Sequence, residues 1–423
     1  MTVRLLGLIL VTALIMTLPV GSAERPPNVL MIIGDDMGWM DFGFMGSKLV
    51  NTPHLDQLAA ESAVFSNGYV PTSLCRASLA TLLTGLFGHQ HKICCNDPPA
   101  GVDRAAMHPF IQAAPAVPRL LGARGYRSLQ TGKFWEGHYR NAGFTHGMTT
   151  KGRHGDEGLI IGRQTMQPIY DFIDQSGPSP WLVWYAPMLP HEPHNPPARL
   201  LQKYQLPGRH EKLAKYYAMC EWFDETCGEL LGWLDRKGQR DNTLVVFVID
   251  NGWIQETGEV RRTRGNFAPK SKLSPYDGGL RTPVLLRWPH RIKPGGHDDL
   301  VSTIDLPPTM LRACGVTPPK QLPGLSLLAA AAGKGKLRRN AVFGELFVHT
   351  AVDLQQPWLN LTHRWLRARE RDGDWKLIWF AAGAPAELYD VEHDPHEETN
   401  LAAAHPERVR QLVRKLDDWW KGR

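Results

Sequence analysis

After its N-terminal segment the chain has no apolar run long enough to cross a bilayer, which excludes a later membrane span. Charge of one sign is also lacking. The 48 Lys and Arg stand against 42 Asp and Glu, a net +6, part of it in the leader and the C-terminal tail. That balance is too mild to argue for a nucleic-acid partner and is compatible with an anionic substrate. Internal repeats and low-complexity tracts are missing, so no repeat array is expected. Cysteine is sparse, six in 423 residues.

What is present starts with a leader. MTVRLLGLILVTALIMTLPVGSAERPP carries Arg4, an apolar run and then Gly21-Ser22-Ala23 before a Pro-rich segment. It reads as a secretory signal peptide, residues 1–23, cleaved after Ala23; the alternative is an uncleaved anchor. The mature protein is expected to be exported, periplasmic or secreted, without stable membrane insertion. In that setting the cysteines invite disulfides. Cys94 and Cys95 are adjacent, Cys220 and Cys227 are close on one helix, and Cys314 stands apart. If Cys75 serves chemistry, at least one of the other five is unpaired.

Short apolar runs at Asn28 to Ile33, Trp181 to Tyr185, Thr243 to Ile249 and Pro283 to Trp288 read as buried strands. Helical patterns lie between them at Thr52 to Ala60, Val117 to Arg124 and Lys212 to Asp235. The alternation predicts an α/β fold, a large mixed and mostly parallel sheet flanked by helices, over residues 24–310. From residue 311 to 423 the character changes to a smaller α+β subdomain. RWLRARERDGDWKLIWF predicts a hairpin turning at Asp372-Gly373, and Pro406 to Lys421 a closing helix. The Ala/Gly-rich stretch Leu325 to Lys336 reads as a mobile loop, and Asn360-Leu361-Thr362 is a glycosylation sequon.

Ligands of parallel sheets bind beyond the carboxyl ends of the strands. Asp35, Asp36, His191, Asp250 and Asn251 all fall there. Three carboxylates and an amide form the hard oxygen set that suits Ca²⁺ or Mg²⁺, although Asp-Asp and Asp-Asn-Gly are also turn formers. Cys75 opens the helix-like stretch CRASLATLLTG, where a backbone dipole favours negative charge. It is a nucleophile, half of a disulfide or an ordinary buried thiol. Lys133 and Lys272 are cations that could clamp an oxyanion, or surface residues. His191 and His194, in a Pro-rich loop, fit acid–base work, a transition metal or neither. Trp135, Trp253 and Trp288 either stack on sugar rings or pack.

In order and spacing these pieces resemble the sulfatase family of the alkaline-phosphatase-like superfamily. The likeness runs through NVLMIIGDDMGWMDFGFMG, NTPHLDQLAAESAVFSNGYVPTSLCRASLATLLTGLFGHQHKI, VIDNG, KLSPYDGGLRTP and ELYDVEHDPHEETNLA. It implies that a formylglycine-generating enzyme converts Cys75 to formylglycine, whose hydrate attacks sulfur, expels the alcohol and then eliminates sulfate. Asp35, Asp36, Asp250 and Asn251, with the modified Cys75, would hold Ca²⁺, with Mg²⁺ the lesser candidate. Lys133 and Lys272 would hold sulfate oxygens, and His191 would bind the ester or protonate its leaving oxygen. The implied substrate is a small-molecule or polysaccharide sulfate ester. Three positions depart from the family pattern, the mildest Ala77, where Pro is usual. Leu79 stands where Arg is usual, with Arg76 the candidate to supply that charge, and Trp135 stands where His is usual, with His138 the candidate replacement. A phosphoester or phosphonate monoester hydrolase, or a sulfatase-like glycan-binding protein, is the alternative reading.

Overall fold

The computed structural model describes residues 25–253 and 270–422; the leader lies outside them. Among the described residues the strands are, in chain order, β1 Asn28–Gly34, β2 Ala63–Tyr69, β3 Arg127–Gly132, β4 His146–Gly147, β5 Trp181–Ala186, β6 Thr243–Ile249, β7 Arg281–Arg287, β8 Gly295–His297, β9 Val301–Ser302, β10 Ala341–Phe347, β11 Leu361–Glu370, β12 Gly373–Phe380 and β13 Glu387–Asp390. The first nine make one sheet in the order β4-β3-β5-β1-β6-β7-β2-β8, with β9 on β2. The pairs β3–β5, β5–β1 and β1–β6 are parallel, whereas β7 runs antiparallel to both β6 and β2.

The parallel strands read as unbroken apolar runs because both their faces are covered. Side chains alternate along each strand. Val29, Met31 and Ile33 point into one core with Leu82, Leu83, Leu121 and Met310, from helices Cys75–Thr84, Val117–Gly122 and Leu306–Ala313. Leu30 and Ile32 point into the opposite core with Leu58, Phe172, Phe223 and Leu230, from helices Pro53–Ala60, Gln167–Ser176 and Glu211–Arg236. A one-residue slip of β1 would exchange the two sets.

Strands β10 to β13 form a four-stranded antiparallel sheet. The helix Pro406–Trp419 covers one face through Leu412 and Leu416. The other face packs Trp365 and Ile378 on Tyr69, Val70 and Leu280 of the large sheet's side. Buried ion pairs tie this sheet to the turn before β7. Lys376 meets Asp277 and Glu397 at 2.7 Å each, and the Glu397 carboxylate accepts the Asp277 N–H at 2.6 Å.

Three expectations change. Leu325 to Lys336 is a loop only in part: it holds a helical turn at Leu328–Ala331, with Leu327 and Ala331 fully buried, while Gly333 to Lys336 is exposed. All six cysteines are buried and free. Asn360 is buried, its Nδ2 donating to Asp353 O at 2.6 Å, so the sequon is folded inward. No helix among the described residues is long and apolar enough to cross a membrane.

Candidate active site

Four adjacent parallel strands deliver the site from their carboxyl ends. Beyond β1, Asp35 and Asp36 follow Gly34; beyond β6, Asp250 and Asn251 follow Ile249. Lys133 follows β3, and the loop after β5 carries His191. Backbone bonds hold these ends in register: Asp250 N–H donates to Gly34 O and Asp35 N–H to Leu189 O, each at 2.9 Å. Asp36 adopts φ +60°, a left-handed conformation that Asp tolerates better than most residues, and its N–H donates to Asp250 Oδ1 at 3.1 Å. Lys133 depends on Gly132, which has φ +70° and whose absent Cβ would fall 1.8 Å from Ala186 O. Only glycine fits that turn.

Cys75 is the first residue of the helix Cys75–Thr84, which Gly85 ends in the left-handed region at φ +71°. Ser78, one turn on, anchors the helix by donating to Asp250 O at 2.5 Å. The Cys75 thiol, 1% exposed, lies 3.9 Å from Asp36 Oδ1. Asn251 Nδ2 donates to that same oxygen at 2.5 Å, and His191 Nε2 is 3.3 Å from Asp36 Oδ2. Lys272 pairs with the Asp36 carboxylate, and Lys133 pairs with Asp35 and lies 3.5 Å from Asp250 Oδ2. Ligand atoms of Asp35, Asp36, Cys75 and His191 all fall within 4.8 Å of one another, close enough to share one cation.

Burial dominates the electrostatics. It pushes the Asp35 carboxyl up to about 6 and Asp250 up to about 8, against the pull of Lys133. Burial also opposes ionising Asp36, but Lys272 and Lys133 outweigh it and hold that carboxyl below the usual range. Burial drives the Cys75 thiol up to about 11, against the pull of Lys133 and Lys272. It drives His191 down to about 3, so this imidazole is neutral, its Nδ1–H donating to Glu192 O at 2.7 Å. The carboxylates together keep Lys133 and Lys272 protonated despite burial.

The structure brings Asp35, Asp36, Cys75, Lys133, His191, Asp250, Asn251 and Lys272 together, and two expected residues lie elsewhere. Arg76 turns away from Cys75 into the protein, because successive helical residues point about 100° apart. Its Nε and Nη2 donate to Glu136 at 2.8 Å each, Nη1 to Cys95 O at 3.1 Å and Nη2 to Met107 O at 3.2 Å. His138 caps the short helix Tyr139–Ala142, its Nδ1 accepting the Arg140 N–H at 3.2 Å, and leans on Tyr139. The sequence reading missed His154, whose ring lies 6.0 Å from that of His191. Its loop follows β4 and shows no motif. Of the three tryptophans, Trp135 and Trp253 are buried and Trp288 is half-buried against the core. His194 lies beside Tyr216 and Trp253, away from the cation cluster.

Comparison with known proteins gives the family and the fold. The family profile described as Sulfatase matches residues 27–316, and the one described as N-sulphoglucosamine sulphohydrolase, C-terminal matches residues 267–421. Arylsulfatase A of Homo sapiens is 27% identical over 492 aligned residues, covering 96% of this chain and 90% of that one. The structure of BT4656 in complex with its substrate D-glucosamine-2-N,6-O-disulfate shares the fold, with a TM-score of 0.71 at 21% identity over 94% of this chain and 98% of that one. So does the phosphonate monoester hydrolase SpPMH from Silicibacter pomeroyi, with a TM-score of 0.70 at 21% identity over 92% and 94%. Since the first profile alone takes in well over half of its length, the chain belongs to the sulfatase family, the sulfuric ester hydrolases.

Proposed function

We propose that this protein cleaves a sulfate ester of an aryl or sugar alcohol to the alcohol and inorganic sulfate, using formylglycine made from Cys75 and a divalent cation, Ca²⁺ in preference to Mg²⁺. One observation carries the reading: a ring of hard oxygen donors and two ammonium groups encloses a thiol that burial keeps protonated. A buried, protonated thiol is a poor nucleophile and a poor partner for hard donors, whereas an oxygen in its place suits both. Asp35 Oδ2 and Asn251 Oδ1 also fit a cation, being buried oxygens with no hydrogen-bond partner among the described residues. Asp35, Asp36, Asp250 and Asn251 would hold it, and a bound cation would favour the ionised forms of Asp35 and Asp250 that burial disfavours. When bound, the cation supplies Lewis-acid stabilisation of the sulfuryl oxygens and makes an oxygen nucleophile easier to deprotonate.

The chain's own groups supply the rest. Lys133 and Lys272 act as fixed point charges for non-bridging sulfate oxygens, worth more in this dry setting than in water. His191 has its Nδ1–H on the Glu192 carbonyl, so any proton it gives the leaving oxygen must sit on Nε2. Because Cys75 is enclosed in the folded chain, its conversion is placed before folding is complete. We place that step during export under the 1–23 leader, with a formylglycine-generating enzyme as partner.

The test uses full-length protein co-expressed with a formylglycine-generating enzyme and loaded with Ca²⁺. Mass spectrometry of the Cys75 peptide establishes conversion, and release of sulfate from 4-nitrophenyl sulfate and from a 6-O-sulfated glucosamine is followed. Turnover by the converted protein and none by Cys75→Ala supports the reading. A fully converted, Ca²⁺-loaded protein that releases no sulfate overturns it, as does a preference for phosphonate or phosphate monoesters with the thiol intact.

A further inference from the structure

His154 is an imidazole beside His191 that neither joins the cation cluster nor caps a helix. Its backbone is clamped on the turn that carries Lys133. The Phe134 N–H donates to His154 O at 3.0 Å. Gly155, at φ +136°, lies so close to that turn that a Cβ would come within 2.3 Å of Gly132 O. Thr149 Oγ1 closes the loop by donating to Gly155 O at 2.9 Å.

The side chain is fixed as firmly. Arg153 Nη1 lies 2.8 Å from His154 Nε2. A guanidinium has only donors, so Nε2 must accept, and the ring's proton sits on Nδ1. Arg153 is itself held by Asp97, with Nε to Oδ1 at 2.7 Å and Nη2 to Oδ2 at 2.8 Å, and it lies 4.7 Å over the Trp135 ring. Trp135 meets the imidazole edge-on at 4.3 Å. The Nδ1–H has no hydrogen-bond partner among the described residues. Lys133, His191 and Lys272 all bear electrostatically on this ring. His154 is therefore a neutral, oriented donor beside His191.

We propose that His154 contacts the substrate, its Nδ1–H donating to a non-bridging oxygen of the bound sulfate beside Lys133, and that Arg153 is a positioning residue that fixes this tautomer. The inference rests on the sulfate-ester reading. A neutral imidazole here shares charge developing on the sulfuryl oxygens and transfers no proton.

The test compares His154→Asn, whose amide nitrogen stands near the Nδ1 position, with His154→Gln, whose amide stands near Nε2, and with His154→Ala. Calorimetric binding of inorganic sulfate to the Ca²⁺-loaded full chain is measured beside kcat/KM on 4-nitrophenyl sulfate. Loss of a hydrogen bond to a charged oxygen should lower kcat/KM about 10- to 100-fold in the Ala and Gln variants and weaken sulfate binding, with Asn within about 5-fold of wild type. Equal behaviour of all three variants, better retention by Gln, or a fall in melting temperature with sulfate affinity unmoved overturns the proposal. If the wild type binds sulfate but cleaves no ester, the hydrolytic reading fails while the affinity series still decides His154. A wild type that does neither removes both.

Discussion

Replacing Glu136 by methionine strands the Arg76 guanidinium in the protein interior. The two side chains are 1% and 3% exposed and share two bonds of 2.8 Å. Breaking a buried pair from one side costs about 3–5 kcal/mol, because the remaining charge has neither water nor partner. Arg76→Met should cost about that, plus about 1 kcal/mol for each of the Cys95 and Met107 carbonyls that lose a donor. The double variant leaves no charge behind, only two carbonyls with fewer bonds, so it should lose about 2–3 kcal/mol rather than the sum of the singles. The expected coupling is at least about 5 kcal/mol, read from urea unfolding of the four proteins by tryptophan fluorescence. Costs for the single variants below about 1 kcal/mol, or additive losses, would refute the reasoning. Sulfate-ester turnover on the same four proteins adds a second check. Arg76 reaches no catalytic group in the structure, so the folded double variant should stay active; a stable but dead double variant would mean that Arg76 serves the substrate after all.

Gly132→Ala should cost about 3 kcal/mol or more and misplace Lys133, since a Cβ there would sit 1.8 Å from Ala186 O at a φ of +70°; wild-type stability and turnover would contradict this. Asp224, fully buried, accepts the N–H groups of His54 at 3.2 Å and Leu55 at 2.7 Å, and burial pushes its carboxyl up to about 7. The folded chain thus keeps that proton to higher pH than the unfolded one. The contribution is full below about pH 4 and is lost as pH rises through about 7, so Asp224→Asn should gain on wild type by up to about 4 kcal/mol across that window. A pH-independent difference in urea midpoints would refute it. Protein stripped with EDTA should regain turnover and melting temperature with Ca²⁺, by about 2.7 kcal/mol at a hundred times its Kd, and less with Mg²⁺; equal rescue by Mg²⁺ would contradict the preference drawn from the oxygen set.

The parallel core was legible because β1, β5 and β6 are covered on both faces and so appear as unbroken apolar runs. The hairpin of β11 and β12 was legible for a different reason, its turn residues. Strand direction was not: Pro283 to Trp288 has the same composition whether β7 runs with β6 or against it, and the direction follows from the chain's path before it. The Leu325 to Lys336 stretch reads as a loop throughout because its residues are small, whereas Ala330 and Ala331 are small in order to fit beneath their neighbours and Gly333 to Lys336 stays exposed.

The site divides along the same physical line. Asp35-Asp36 and Asp250-Asn251 could be paired by eye because each pair directly follows a strand whose neighbour the apolar pattern supplies. His154 could not, since what brings it to Lys133 is backbone contact with Gly132, a relation between two loops that no periodicity encodes. Arg76 is the more instructive error. Its charge and its nearness to Cys75 suggested a replacement for the arginine missing at Leu79, yet helical geometry alone turns residue 76 away from residue 75. Leu79, one turn on, shares the Cys75 face and is packed in the core with it. The arginine missing at Leu79 is therefore not made good from within this helix. Any compensating donor must come from another segment, and the Arg153–His154 turn, whose imidazole lies 6.0 Å from that of His191, is the one proposed.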